Sequence, residues 1–73
     1  MNEYLVFIER EGASWGGYCP DLPGVGVVGD SREEVEDLIR EAISFHLDGL
    51  RAAGEPIPAP AAVGTTRVQV PAA

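Results

Sequence analysis

The 73-residue sequence predicts an α+β fold: an antiparallel three-stranded meander, one long helix and a fourth strand, in a single domain over residues 1–73. Three observations lead there. Short runs of β-branched and aromatic residues, punctuated by glycine and proline, precede residue 29. A capped amphipathic stretch of roughly 22 residues follows. After a proline-rich connector comes one more alternating segment.

The first strand is expected over Tyr4 to Arg10 (YLVFIER), and Glu11-Gly12-Ala13 turns the chain. Ser14 to Cys19 (SWGGYC) reads as the returning strand. In Pro20-Asp21-Leu22-Pro23-Gly24, proline presets φ and glycine accepts conformations closed to other residues, so a turn is expected before a short third strand, Val25 to Val28. The first strand is apolar on both sides, with Tyr4, Val6 and Ile8 alternating against Leu5 and Phe7. One helix covers only one of those sides.

The helix is expected from Ser31 to about Ala53. Ser31 and Glu34 have the spacing of a capping box, which satisfies exposed N–H groups at a helix start. Asp30, Glu33, Glu34, Glu36 and Asp37 place negative charge at the positive end of the helix dipole. Gly54 is placed to end it. Such a helix spans about 33 Å, more than strands of about 20 Å, so it should overhang its sheet. At 100° per residue, Val35, Leu38, Ile39, Ala42, His46, Leu50 and Ala53 share one face, which Ile43 and Leu47 extend on one side and Phe45 on the other. That arc is about 200° wide against the ~100° that one sheet needs. Overhang and width together predict self-association, for which Phe7, Ile43, His46, Leu47 and Leu50 are the candidate residues. Glu55 to Val63 cannot continue a helix, and Thr65 to Val70 (TTRVQV) is the expected fourth strand, pairing in parallel with the first after the helical crossover.

Composition excludes several functions. The net charge of −7, with every basic residue an arginine, repels nucleic acid phosphates and suits a basic partner. The single cysteine, Cys19, allows neither an internal disulfide nor a cysteine metal cluster. No apolar run approaches the roughly 20 residues of a membrane span. The N-terminus lacks the basic region of a signal peptide, so no membrane association is expected and the expected location is the cytoplasm. A chain this small buries only about 60% of its unfolded surface, which again favours association as a homodimer or higher homo-oligomer.

Gly24 to Gly29 spells G-x-G-x-x-G, the spacing of a dinucleotide-binding loop. That loop needs a strand before its first glycine and a helix starting inside the motif. Here the first glycine follows a proline-rich turn, the valines read as strand, and the helix begins only at Ser31. The glycines are instead expected to serve turn geometry and close approach, and no cofactor is expected. His46 is the one histidine, which excludes multi-histidine metal sites and leaves Cys19 and His46 as the sole thiol–imidazole pair. The expected role of His46 is packing.

Taken together, YLVFIE at the start, GYCPDLPGV at Gly17 to Val25 and GDSxEEV at Gly29 to Val35 resemble the N-terminal domain of HicB-family antitoxins. The likeness continues through IxEAI at Ile39 to Ile43, His46-Leu47 and GEPIPxP at Gly54 to Pro60. It implies a partial ribonuclease-H-like fold, β-β-β-α-β, and a partner: a small basic HicA-type toxin that cleaves mRNA. Longer members carry a DNA-binding domain after this one. This sequence reaches Ala73 soon after the expected fourth strand, so no direct nucleic acid binding is expected. Ribonuclease H chemistry requires carboxylates from several strands converging on divalent metal ions. Glu9 or Glu11 and a helix acid supply two, but TTRVQVPAA supplies none, so no catalytic or metal residues are expected.

The sequence therefore reads as a non-catalytic domain that sequesters a toxin. By residue type and position, Trp15, Tyr18, Asp21, Asp30, Glu33 and Glu34 are the expected toxin contacts, as aromatic anchors with acidic steering. The competing reading is a homo-oligomeric structural or adaptor domain with no toxin.

Overall fold

The computed structural model describes residues 2–72. Strands β1 (Phe7–Glu11), β2 (Ser14–Tyr18) and β3 (Gly26–Gly29) precede a single helix, α1 (Arg32–Ala52). The three strands form one antiparallel sheet in the order β1-β2-β3. The meander and the helix thus follow the sequence pattern, with boundaries shifted by at most three residues.

The largest shift is at β1, expected from Tyr4. Phe7 pairs with Tyr18, the last residue of β2, and Tyr4, Leu5 and Val6 run past the end of their neighbour. Beyond Tyr18 the chain folds into a double turn. The Leu22 N–H donates to the Cys19 carbonyl (3.2 Å), and the Val25 N–H donates to the Leu22 carbonyl (3.1 Å). The Cys19 N–H closes the loop on the Val25 carbonyl at 3.2 Å. This places Cys19, Leu22 and Val25 under the helix, where with Ile39 they form the core. Leu22 and Val35 are fully buried, and each such side chain stabilises the fold by about 1.5–3 kcal/mol.

At the helix start, Ser31 Oγ accepts from the Glu34 N–H at 3.1 Å. The Glu34 carboxylate turns back and accepts from the Asp30 N–H at 2.9 Å. The expected box therefore forms with its return bond one residue early. At the other end the Glu55 N–H donates to the Leu50 carbonyl (2.9 Å) and the Gly54 N–H to the Arg51 carbonyl (3.1 Å), with Gly54 at φ +70°. That pair of bonds is a Schellman motif, which satisfies carbonyls the helix leaves open. The ion pairs Arg32–Glu36, Arg40–Asp37 and Arg51–Asp48 lie exposed along the helix and contribute little to stability.

Helix and sheet meet closely because Gly17 has no side chain: a Cβ there would lie 2.8 Å from Cγ1 of Val35. Two glycines of the G-x-G-x-x-G run serve the backbone geometry. Gly24 takes φ +87° in the turn, and Gly29 lies against the Glu34 side chain, where a Cβ would come within 2.5 Å of Oε1.

One expectation is not met. No strand forms over 65–70: the segment is exposed, and no backbone hydrogen bond joins it to any other described residue. A strand exists only against a neighbour, and alternation alone does not supply one. Phe45, at the edge of the apolar arc, stands 81% exposed, so the arc is wider than the part of it that packs. The sheet does not reach it, since α1 packs chiefly over β2 and β3. The overhang is as predicted: at 1.5 Å per residue α1 is about 31 Å long, whereas five-residue strands reach about 17 Å.

Candidate protein-binding site

Two surfaces on this frame are open and largely apolar. The first is a groove of about 700 Å³ between the N-terminal run into β1 and the middle of α1. Its floor and walls are Tyr4, Val6 and Ile8 from the strand side and Ile39, Ile43 and Leu47 from the helix. It exists because α1 sits over β2 and β3 and leaves the inner face of β1 partly uncovered. Arg32, Glu36 and Arg40 stand along its rim.

The second surface is the sheet face turned away from the helix. Gly17 and Ile8 are cross-strand partners, and both face Val35. Side chains alternate along a strand, so Phe7, Glu9 and Glu11 of β1, Tyr18 of β2 and Val28 of β3 project to the opposite side. Phe7 and Tyr18 are direct partners, with ring centroids 5.4 Å apart and planes tilted by 43°. Val28 is 74% exposed and Tyr18 43%. Glycine at Gly16 and Gly26 leaves the sheet flat between these groups. The outcome is an apolar aromatic patch bordered by Glu9 and Glu11.

The family model for the HicB-like antitoxin of bacterial toxin–antitoxin systems matches residues 4–71. The chain belongs to the HicB-like antitoxin family. It is also similar to the UPF0150 protein ssr1765 of Synechocystis sp., with 36% identity over 59 residues, covering 80% of this chain and 75% of that protein. No solved structure matches it significantly. Membership implies a role in a toxin–antitoxin system, with a toxin as partner and a non-enzymatic function. No helix in the described residues is long and apolar enough to cross a membrane. Nor, among those residues, do three or more His, Cys, Asp or Glu side chains stand close enough to hold a metal ion.

The toxin contacts expected from residue type and position do not fall on one surface. Trp15 pairs with Gly29, so it lies at the helix-start end of the sheet together with Asp30, Glu33 and Glu34. Its ring is covered by the Arg10 guanidinium, 5.5 Å from the centroid. Tyr18 lies three residues along β2, about 10 Å away, on the opposite face. Asp21 is occupied internally: its Oδ2 accepts the N–H groups of Ala61 (3.1 Å) and Ala62 (3.2 Å). The Glu34 carboxylate is likewise engaged in the cap. Of the self-association candidates, Ile43 and Leu47 line the groove, whereas Phe7 lies across the sheet on the open face. His46 and Leu50 are half-buried farther along α1.

Glu9, Glu11 and Val28 were not among the expected contacts. Hairpin arithmetic places the two carboxylates on that face, and the β2–β3 register, Gly16 opposite Val28, places the valine. A two-residue turn at Gly12-Ala13 sets Glu11 opposite Ser14 and therefore Phe7 opposite Tyr18. Every second residue of β1 then follows onto that face.

Proposed function

We propose that the chain is a non-catalytic antitoxin domain that sequesters a small basic HicA-type mRNA-cleaving toxin in the cytoplasm. The observation that carries this reading is the open sheet face, where the Phe7–Tyr18 pair and exposed Val28 are bordered by Glu9 and Glu11. Aromatic anchors on a rigid sheet supply binding energy at low entropic cost. Adjacent carboxylates on a chain of net charge −7 speed the encounter with a basic partner. Trp15, Asp30 and Glu33 form a secondary acidic contact at the helix start. The partial ribonuclease-H-like arrangement belongs to the same reading and calls for a further strand beside β1.

The test is inhibition of a HicA-type toxin from the same genome, with affinity measured by calorimetry. Tyr18→Ala should weaken binding about 10–100-fold, the usual effect of removing an aromatic anchor. Glu9→Arg with Glu11→Arg should slow association and flatten its salt dependence. Full inhibition by both variants would remove this face from the proposal. The second reading, a homo-oligomeric adaptor without a toxin, is favoured by the groove and would be supported if no toxin binds the wild-type chain.

A further inference from the structure

Two features of one chain lie unsatisfied, and each fits the other. β1 pairs only with β2, so one side of its backbone is open, and Tyr4 to Val6 beyond it make no ladder bonds on either side. Beside this edge lies the apolar groove of Tyr4, Val6, Ile39, Ile43 and Leu47. Thr65–Val70 meanwhile alternates in sequence and has no backbone partner among the described residues, with Val68 74% and Val70 76% exposed. An open strand edge is a template for another strand. The other edge, β3, is a weaker one: it has four residues, bounded by Gly26 and Gly29.

We propose that Thr65–Val70 of one copy adds as a strand to the β1 edge of a second copy, reciprocally, forming a two-fold dimer. Six extended residues cover about 20 Å, enough to run along β1 and into the unpaired residues before it. Alternation then sends Val68 and Val70 toward the groove, and Arg67 and Gln69 toward the open face that carries Glu9 and Glu11. Opposite charges on adjacent strands are mutually stabilising. The occupant is a second copy because of how the segment is held. The Tyr4 hydroxyl donates to the Pro58 carbonyl, and Asp21 holds Ala61 and Ala62. These bonds fasten the connector at the entry to β1, and the exposed chain beyond leaves the body, so that the molecule with its tail measures 48 Å on its long axis. Reciprocal exchange satisfies both edges and both tails at once, as a closed two-fold interface does. The proposal does not depend on whether a toxin binds.

The experiment combines mass with directed cross-linking. Light scattering of the wild-type chain at tens of micromolar should give a dimer. Val68→Asp with Val70→Asp alters only exposed positions, so it should leave helix content unchanged while weakening the dimer at least a hundredfold. A chain carrying Val68→Cys, mixed with one carrying Ile43→Cys, should give a disulfide-linked heterodimer on mild oxidation; buried Cys19 serves as the background control. A monomeric wild type would overturn the proposal, as would a dimer indifferent to the aspartates. So would a single chain carrying both cysteines that closes the disulfide within itself, because the tail would then lie on its own sheet.

Discussion

Adding one methyl group at Gly17 tests how closely helix and sheet are packed. The new Cβ would meet Cγ1 of Val35 at 2.8 Å and Cδ1 of Ile8 at 3.4 Å. Ordinary contact begins near 3.4 Å, so Val35 or the strand must move by roughly 0.6 Å to relieve the overlap. Val35 has little freedom to do so, because it is fully buried and a β-branched side chain on a helix is held to essentially one rotamer. Overpacking of this kind costs about 1–3 kcal/mol. Stiffening of the unfolded chain by alanine offsets about 0.4–1 kcal/mol of that. Gly17→Ala should therefore destabilise by up to about 2.6 kcal/mol, lowering Tm by some 4–8 °C per kcal/mol for a domain this small. Protein concentration must be held fixed, since association shifts apparent stability. The decisive measurement is a double-mutant cycle with Val35→Ala. That change alone removes buried methyl groups and costs about 1.5–3 kcal/mol. Combined with Gly17→Ala, the strain disappears and the new methyl occupies some of the vacated space. The pair should thus be more stable than the sum of the singles by about 1 kcal/mol. Additive losses, or a Gly17→Ala protein more stable than wild type, would refute the close approach.

Two further substitutions address an internal contact and an exposed aromatic. Asp21→Ala removes the acceptor of the Ala61 and Ala62 N–H groups. Amide exchange at those two positions should accelerate at least tenfold while exchange in α1 stays unchanged; unchanged protection at Ala61 would show that another group holds the connector. Phe45→Ala should shift stability by less than about 0.5 kcal/mol, as exposed positions do. A loss above about 2 kcal/mol would place Phe45 in an interface.

The meander and helix were legible because their signals are local: alternation, turn residues, a serine cap and a terminal glycine each act within a few positions. Ser31, Glu34 and Gly54 do what their spacing implies. What escaped the sequence was set by partners distant along the chain. Tyr4 to Val6 read as strand, but β2 ends at Tyr18, so the ladder stops at Phe7. Thr65 to Val70 has the alternation of a strand without an adjacent edge in this chain. Asp21 was an expected toxin contact on charge alone, although its carboxylate serves amides forty and forty-one positions away. The open face was hardly visible: Tyr18 was an expected contact, but grouping it with Phe7, Glu9, Glu11 and Val28 required the strand register.

The Asp21 and Tyr4 bonds to the connector also have a consequence for the order of folding. Each packed pair of elements in the body joins near neighbours along the chain: β1 with β2, β2 with β3, and α1 with β2 and β3. Topologies of that kind fold quickly, since little loop entropy is lost before contacts form. The connector's bonds close loops of 40 to 54 residues and add little to the body's own packing. Meander and helix can therefore reach their final form first, leaving the connector to fasten onto a finished surface. Any joining of copies through the residues beyond it is then a separate bimolecular step. Its rate follows protein concentration, so the cell can set the assembly state by how much of the chain it makes.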